Sequence, residues 1–155
     1  MGNLEITEAG FRELVAFCVG GQHFCIEIRS VREIRGWTPA TIIPYAPDYV
    51  MGVINLRGAV VPIVDLSRRL GLEKSVPDDR HVIIIAVVGS RTSGFLVDAV
   101  SDIIEISSDE IQPPPDVSSR ESSEFIEGVI IEGERILRVV DIESLLPVGS
   151  EESEG

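Results

Sequence analysis

The sequence contains an internal repeat, and this repeat limits the folds that the chain can adopt. The tripeptide Gly-Val-Ile occurs at 52–54 and again at 128–130, and Val-Asp followed by a branched apolar residue occurs at 64–66 and at 140–142. Gly52 to Gly128 and Asp65 to Asp141 are both 76 residues, so the copies align without a gap. One copy alone is too small to bury much surface. The repeat therefore predicts two similar units that pack against each other.

Short apolar runs bounded by turn residues predict that both copies are mainly β. The run at 59–64 is rich in β-branched residues, and the turn at 55–58 joins it to the apolar run before it. Apolar and polar residues alternate at 24–29, which favours a strand with one face in the core and the other in water. The run at 82–88 is apolar throughout and predicts a strand buried on both faces.

The order of these patterns predicts an A-B-A′-B′ chain, in which A is a hairpin and B is a second hairpin followed by a helical turn. Strands this short fit up-and-down or SH3-like β-barrels that share an apolar seam. We expect one domain over residues 11–146, built of pseudo-repeats at about 11–72 and 80–146, with flexible tails at 1–10 and 147–155. The polar segment 73–79, which contains a proline, marks the junction between the halves.

Helical turns are predicted at three places. Asp65 and Asp141 stand at the positions of N-cap residues. The third place is Ser30, which has a Glu three residues later and so has the spacing of a capping box. A helical turn there would place Val31 near Ile34, and the same spacing recurs at 100 and 103. Such apolar pairs either close the end of a barrel or line a groove for a partner's helix.

The charge argues against a nucleic-acid partner, and the lack of a membrane helix and a signal core favours a cytosolic protein. The net charge is −13, and residues 76–155 carry all of the excess, with eighteen acidic and five basic side chains. A basic surface for nucleic acid is therefore not expected. The acidic half serves solubility or selects a basic partner. No apolar run reaches the length of a membrane helix, and the acidic start lacks a signal core.

Few residues suggest enzyme chemistry. Phosphate-binding loops, nucleophile elbows and His/Glu metal spacings are absent from the sequence, which disfavours an enzyme. Cys18, Cys25 and His23 lie around a predicted four-residue turn at 20–23, which would place the two thiols opposite each other. In a cytosolic chain we expect both thiols to be reduced and packed as small apolar groups. A Cys/Cys/His metal site is disfavoured, because it would lack a fourth ligand.

Four segments, at 31–36, 52–58, 60–66 and 95–100, closely resemble the CheW-like domain family of bacterial chemotaxis coupling proteins. The resemblance runs from about residue 11 to residue 146, and the segment Gly-Val-Ile-Asn-Leu-Arg-Gly is its most specific part. It implies two five-stranded SH3-like barrels in a noncatalytic adaptor without a cofactor. The adaptor would couple methyl-accepting chemoreceptors to the histidine kinase CheA, in the cytoplasm at membrane-associated receptor arrays.

The resemblance also implies two sets of contact residues. The regulatory domain of the kinase would be contacted by Glu33, Gly52, Arg57 and Gly58. The helical hairpin tip of the receptor would lie on Ile28, Val31, Ile34 and Val100. Arg57 and Glu33 could also pair with each other and mainly shape the surface. Two other functions stay open, namely an adaptor of a non-flagellar chemosensory pathway and a small metal- or ligand-binding barrel.

Overall fold

A computed structural model describes residues 10–114 and 124–147, and within them the chain forms ten strands. One short α-helix, α1 (Leu66–Arg69), follows the fifth strand, and 3₁₀ helices lie at Ile28–Ser30, Ser108–Glu110 and Ile142–Leu145. No helix in this part of the chain has the length and apolar composition that crossing a bilayer requires. The strands are β1 (Phe11–Val19), β2 (Gln22–Glu27), β3 (Val31–Gly36), β4 (Val50–Leu56), β5 (Ala59–Asp65), β6 (Val82–Val88), β7 (Arg91–Val97), β8 (Ala99–Ser107), β9 (Ile126–Glu132) and β10 (Arg135–Val140).

The strands form two five-stranded sheets, which confirms the mainly β prediction and the strand number of each unit. The first sheet has the order β8-β1-β2-β10-β9, and the second has the order β3-β6-β7-β5-β4. Within the described residues the strands do not form closed barrels. Among the described residues, β8 does not pair with β9, and β3 does not pair with β4, so each hydrogen-bonded ladder has two ends.

Each sheet takes strands from both sequence repeats. The hairpin β9–β10 of the second copy joins the first copy's β1–β2 hairpin through parallel pairing of β10 with β2. In the same way, β4–β5 of the first copy joins β6–β7 of the second through parallel pairing of β5 with β7. Neither copy of the repeat therefore forms a five-stranded sheet by itself.

Three hydrophobic clusters make up the core. The seam cluster lies between the sheets and contains residues of both, such as Phe17 and Phe95. The other two clusters each belong to one sheet and lie on its opposite face. Strand β6 shows the arrangement directly, because Ile84 packs in the seam cluster and Ile83 in the second sheet's own cluster. The predicted seam and the prediction that this strand is buried on both faces are confirmed.

Arg69 of α1 connects the two copies at the edge of the seam. Its guanidinium lies over the rings of Tyr49 and Phe125, at 4.1 and 4.9 Å from their centroids. These rings occupy equivalent repeat positions, 76 residues apart. Arg69 Nη2 also donates a hydrogen bond to the carbonyl oxygen of Ser144 at 3.1 Å. The hydrogen bond holds the last 3₁₀ helix against α1, and the cation–π contacts join rings of the two copies.

The two predicted N-caps are confirmed. The carboxylate of Asp65 accepts a hydrogen bond from the backbone N–H of Arg68 at 3.5 Å. That of Asp141 accepts one from the backbone N–H of Glu143 at 3.3 Å. These carboxylates satisfy backbone donors that the first turn leaves without a helical partner.

The predicted helical turn after Ser30 is wrong. Residues 31–36 form strand β3, and the 3₁₀ helix precedes them at Ile28–Ser30. A β-bulge between Val31 and Glu33 gives the apolar pair its spacing of three, because Val31 pairs with Ala86 and Ile34 with Ile84. Both partners belong to the seam cluster. The bulge, and not a helical turn, places Val31 and Ile34 on the same face.

Candidate functional site

The tip of the β4–β5 hairpin is a two-residue turn made by Arg57 and Gly58. Both have positive φ, 53° and 92°, and the side chain of Asn55 accepts a hydrogen bond from the Gly58 N–H at 2.8 Å. A turn with two positive φ angles matches the twist of a hairpin but disfavours any residue with a side chain at these positions. Arg57 therefore has a strained backbone conformation.

Arg57 and Glu33 lie in contact and form the ion pair that the sequence left open. Arg57 Nη2 donates to Glu33 Oε1 at 3.3 Å and to Oε2 at 3.1 Å. Hydrogen bonding from Arg57 holds the pKa of the Glu33 carboxyl below its usual value, and Arg35 adds to the effect. The Arg57 side chain keeps 63% of its surface exposed, so this ion pair is screened by water and contributes little to stability. It fixes the position of a charged tip that still faces solvent.

Gly52 lies apart from this exposed tip, with no space around it. A Cβ atom there would lie 2.4 Å from the carbonyl oxygen of Thr41, and its φ is 148°. Thr41 forms an isolated bridge with Val53, which holds the preceding loop along β4. Gly128 makes the same kind of close approach, since its Cβ would lie 2.8 Å from the carbonyl oxygen of Gln112. Close packing of the backbone thus accounts for glycine at both positions.

Three of the four residues expected at the receptor contact lie on one hydrophobic surface. Ile28, Val31 and Val100 are partly buried and pack against the seam cluster. Ile34 is not among the residues packed there, and 43% of its surface is exposed. On β8, a bulge pairs Val100 with Phe17 and Ile103 with Val15, so the two strands present their apolar pairs in the same way. Ile103, 58% exposed, is the counterpart of Ile34 on β8, and sequence reasoning left it out of the contact set.

Exposed apolar side chains beside the hairpin were also missed. Ile42, Tyr45 and Val60 are 80, 104 and 71% exposed, and Tyr45 has a φ of 64°. Ile42 is the next residue after Thr41, which bridges to Val53 of β4, and Val60 lies on β5 of the same hairpin. The usable signal was a proline-bounded loop whose apolar residues fit no helix or strand period. These exposed apolar side chains are candidates for a contact site.

The expected position of the two cysteines is wrong. The β1–β2 turn contains only Gly20 and Gly21, so Cys18 pairs with His23, and Cys25 pairs with Ala16. Cys18 Sγ lies 3.5 Å from His23 Nδ1. Cys25 is fully buried, and this burial raises its pKa to about 12. Across residues 10–114 and 124–147, no three His, Cys, Asp or Glu side chains are arranged to hold a metal ion.

Two facing sheets that share one core and present a charged tip beside an apolar surface define an all-β binding module. The sequence matches the family described as CheW-like domain over residues 13–149. It is 58% identical to the chemotaxis protein CheW of Rhizobium meliloti, over 94% of this chain and 92% of that one. It is 32% identical to the chemotaxis protein CheW of Bacillus subtilis, over 91% and 90%. The chain therefore belongs to the CheW-like domain family.

A solved structure shows the same fold. The scaffolding protein TtCheW of Thermoanaerobacter tengcongensis superposes with a TM-score of 0.80 at 29% sequence identity. The match covers 89% of each chain. The arrangement of two sheets described above is thus found in a scaffolding protein of this family.

Proposed function

We propose that this protein is a noncatalytic chemotaxis scaffold that couples chemoreceptors to a CheA-type histidine kinase in the cytoplasm. Family membership, the CheW relatives and the scaffolding protein of the same fold support this function. In this proposal each five-stranded sheet is the open-ladder equivalent of the SH3-like barrel that the resemblance implies. The scaffold would be recruited to membrane-associated receptor arrays.

The kinase is proposed to bind the β4–β5 hairpin tip. The observation that carries this assignment is the strained backbone of Arg57, whose repeat equivalent is Gly133. A strained backbone conformation is kept where the side chain has a function. The guanidinium of Arg57 is positioned by Glu33 and remains exposed to a partner. Gly58 allows the turn, and Gly52 leaves room for the loop at Thr41, which runs beside the hairpin. The exposed side chains of Ile42, Tyr45 and Val60 would add apolar contact area.

Replacing Arg57 with Glu tests the kinase site. The variant should recruit the kinase of the same organism at least tenfold more weakly, because it places a repelled carboxylate beside Glu33 and removes the tip cation. Arg135→Glu, at the other hairpin, is the matched control and should recruit the kinase normally. Both proteins should unfold cooperatively. Equal kinase recovery with both variants in a pull-down would show that the tip is not the contact.

The receptor is proposed to lie on the apolar surface of β3 and β8. Val31 and Val100 are its partly buried anchors, Ile28 lies before β3, and Ile34 adds an exposed edge. A helix with an apolar stripe fits such a surface. Val31→Asp and Val100→Asp should each reduce receptor binding, measured by co-sedimentation with receptor-containing membranes. Val76→Asp, at an exposed position on another segment, is the control. Retained binding by the folded Val31 and Val100 variants would refute this assignment.

A further inference from the structure

Two residues other than glycine have a positive φ in the part of the chain that the structure describes, and these are Tyr45 and Arg57. Arg57 forms an ion pair with Glu33 from its strained position. Tyr45 has no comparable contact, because the residue is 104% exposed. The backbone strain at Tyr45 is therefore not offset by packing of its side chain within the fold.

The turn that contains Tyr45 does not require an aromatic residue. Pro44 and Tyr45 occupy its two turn positions, and the φ of Tyr45 is 64°. A proline followed by a residue with positive φ is typical of a type II turn, in which glycine or asparagine fits the second position. A bulky residue with such a φ is an outlier. Glycine would thus form the same turn with less strain.

The loop around Tyr45 is attached to the fold on both of its sides. Before it, Thr41 and Val53 of β4 exchange backbone hydrogen bonds of 2.8 and 2.9 Å. After it, the carboxylate of Asp48 accepts a hydrogen bond from Arg68 Nη2 of α1 at 2.8 Å. A side chain on a loop that is already ordered loses less conformational entropy when a partner binds it. The loop therefore presents the Tyr45 ring to solvent from a fixed position.

Tyr45 and Arg57 lie at opposite ends of β4. The bridge between Thr41 and Val53 is antiparallel, so the chain after Thr41 runs toward the first residue of β4 and away from the hairpin tip. Strand β4 has seven residues, so its ends are about 20 Å apart. A standard protein–protein interface buries about 800 Å² on each partner, which is a patch roughly 30 Å across. One interface can therefore cover both strained residues.

Exposed apolar side chains lie between these two ends. Val60, 71% exposed, pairs with Asn55 beside the tip. Ile42, 80% exposed, follows Thr41 and so lies closer to the middle of β4. Tyrosine and arginine are among the residue types that most often carry the binding energy of an interface. The hairpin thus has one such residue at each end and apolar side chains between them.

We propose that Tyr45 is a second anchor of the kinase contact, which extends along β4 from the hairpin tip to the loop at 42–49. This inference rests on the proposed kinase-binding function. The kinase would offer an apolar pocket for the Tyr45 ring and, about 20 Å away, a carboxylate for the guanidinium of Arg57. The ring supplies the contact, in keeping with the exposed apolar side chains of Ile42 and Val60.

Replacing Tyr45 with glycine tests the anchor. In a calorimetric titration the variant should bind the kinase of the same organism about tenfold more weakly, because the ring is lost. It should melt at or above the temperature of the parent protein, since glycine adopts the positive φ without strain. Tyr45→Phe keeps the ring and should bind like the parent. Val76→Gly removes an exposed apolar side chain from another segment and should also bind normally.

A double variant separates this inference from the proposed function. Because Tyr45 and Arg57 lie at opposite ends of β4, the losses from Tyr45→Gly and Arg57→Glu should multiply, and two tenfold losses give about a hundredfold loss. If only Arg57→Glu weakens binding, the hairpin tip remains the kinase contact and its extension to Tyr45 is wrong. If neither substitution weakens binding, the proposed kinase contact on this hairpin is wrong as well.

Photo-crosslinking identifies the partner that covers Tyr45. The protein with p-benzoylphenylalanine in place of Tyr45 is irradiated in a mixture with the kinase and receptor-containing membranes. A covalent adduct with the kinase is expected, attached to a segment rich in apolar side chains. The same group in place of Val76 should give no such adduct. An adduct with the receptor, or with a second copy of this chain, in preference to the kinase would overturn the proposal.

Discussion

The two hairpin tips have the same design but place their cations differently. In the first copy, Arg57 lies at the turn itself and reaches back to Glu33 on β3. In the second copy, Gly133 takes the place of Arg57, and the cation is Arg135 on strand β10. Arg135 reaches Asp102 on β8 at 3.4 Å. In both copies an ion pair thus joins the hairpin to an edge strand. Such an ion pair does not require a cation at the tip, because Arg135 forms it from a strand.

This comparison separates the residues that the fold needs from those that it tolerates. Gly133 has a φ of 63° without a side chain, whereas Arg57 bears the same conformation with one. The second tip shows how the hairpin is built when only the fold matters. The first tip shows an added cost that folding does not explain, and a cost of this kind points to a contact.

The comparison of the two glycines in the first strands of the hairpins, Gly52 on β4 and Gly128 on β9, predicts the largest loss of stability. Gly52→Ala should lower the free energy of unfolding by about 3 kcal/mol, because its Cβ would overlap the Thr41 carbonyl at a strained φ. Gly128→Ala should cost about half as much, because its Cβ would approach the Gln112 carbonyl oxygen less closely, at 2.8 Å, and Gly128 does not have a positive φ. Urea denaturation measures both. Equal losses would mean that the two backbones are equally crowded.

The two N-cap carboxylates should differ next. Asp65→Ala should cost about 2–3 kcal/mol, because it removes the cap and leaves two donors of Ser75 without their acceptor. Asp141→Ala should cost about 1 kcal/mol, the usual value of a cap alone. The same denaturation experiment measures the difference. Equal losses would mean that the carboxylate of Asp141 has partners beyond the cap, as that of Asp65 does.

Arg57→Gly converts the first tip into a copy of the second. Stability should rise by about 0.5–1 kcal/mol, because glycine adopts the positive φ without strain. Kinase recruitment should fall in the same variant. Thermal melting and a kinase pull-down on one preparation measure the two effects. A variant that is less stable than the parent would show that the Glu33 contact, and not kinase binding, keeps arginine at the tip.

The smallest expected effect is a pH dependence of the first tip. The pKa of Glu33 is lower in the folded protein, chiefly through its hydrogen bond from Arg57. A carboxyl with a lowered folded pKa stabilises the fold above its unfolded pKa, and this contribution is lost as pH falls through the folded value. The stability gain of Arg57→Gly should therefore be larger at pH 3 than at pH 7. An equal gain at both pH values would contradict a lowered pKa.

Much of the local structure followed from the sequence alone. Alternation and β-branched runs gave the strands, and the positions of Asp65 and Asp141 gave the two N-caps. Repetition at a fixed spacing predicted two similar halves with a shared seam, although each sheet takes strands from both copies. These features depend on neighbours along the chain, such as the period of side chains in a strand or a carboxylate within reach of the next backbone N–H. The resemblance to CheW-like domains was confirmed by the family match.

Only the tertiary structure decided which strands pair and which surfaces they form. Parallel pairing of β2 with β10, and of β5 with β7, mixes the two copies in each sheet. The bulge at Val31 places an apolar pair on one face of a strand, where the local spacing had suggested a helix. A two-residue turn changes the partners of Cys18 and Cys25. Such choices depend on which distant surfaces become buried together, and a local pattern carries no record of its partner.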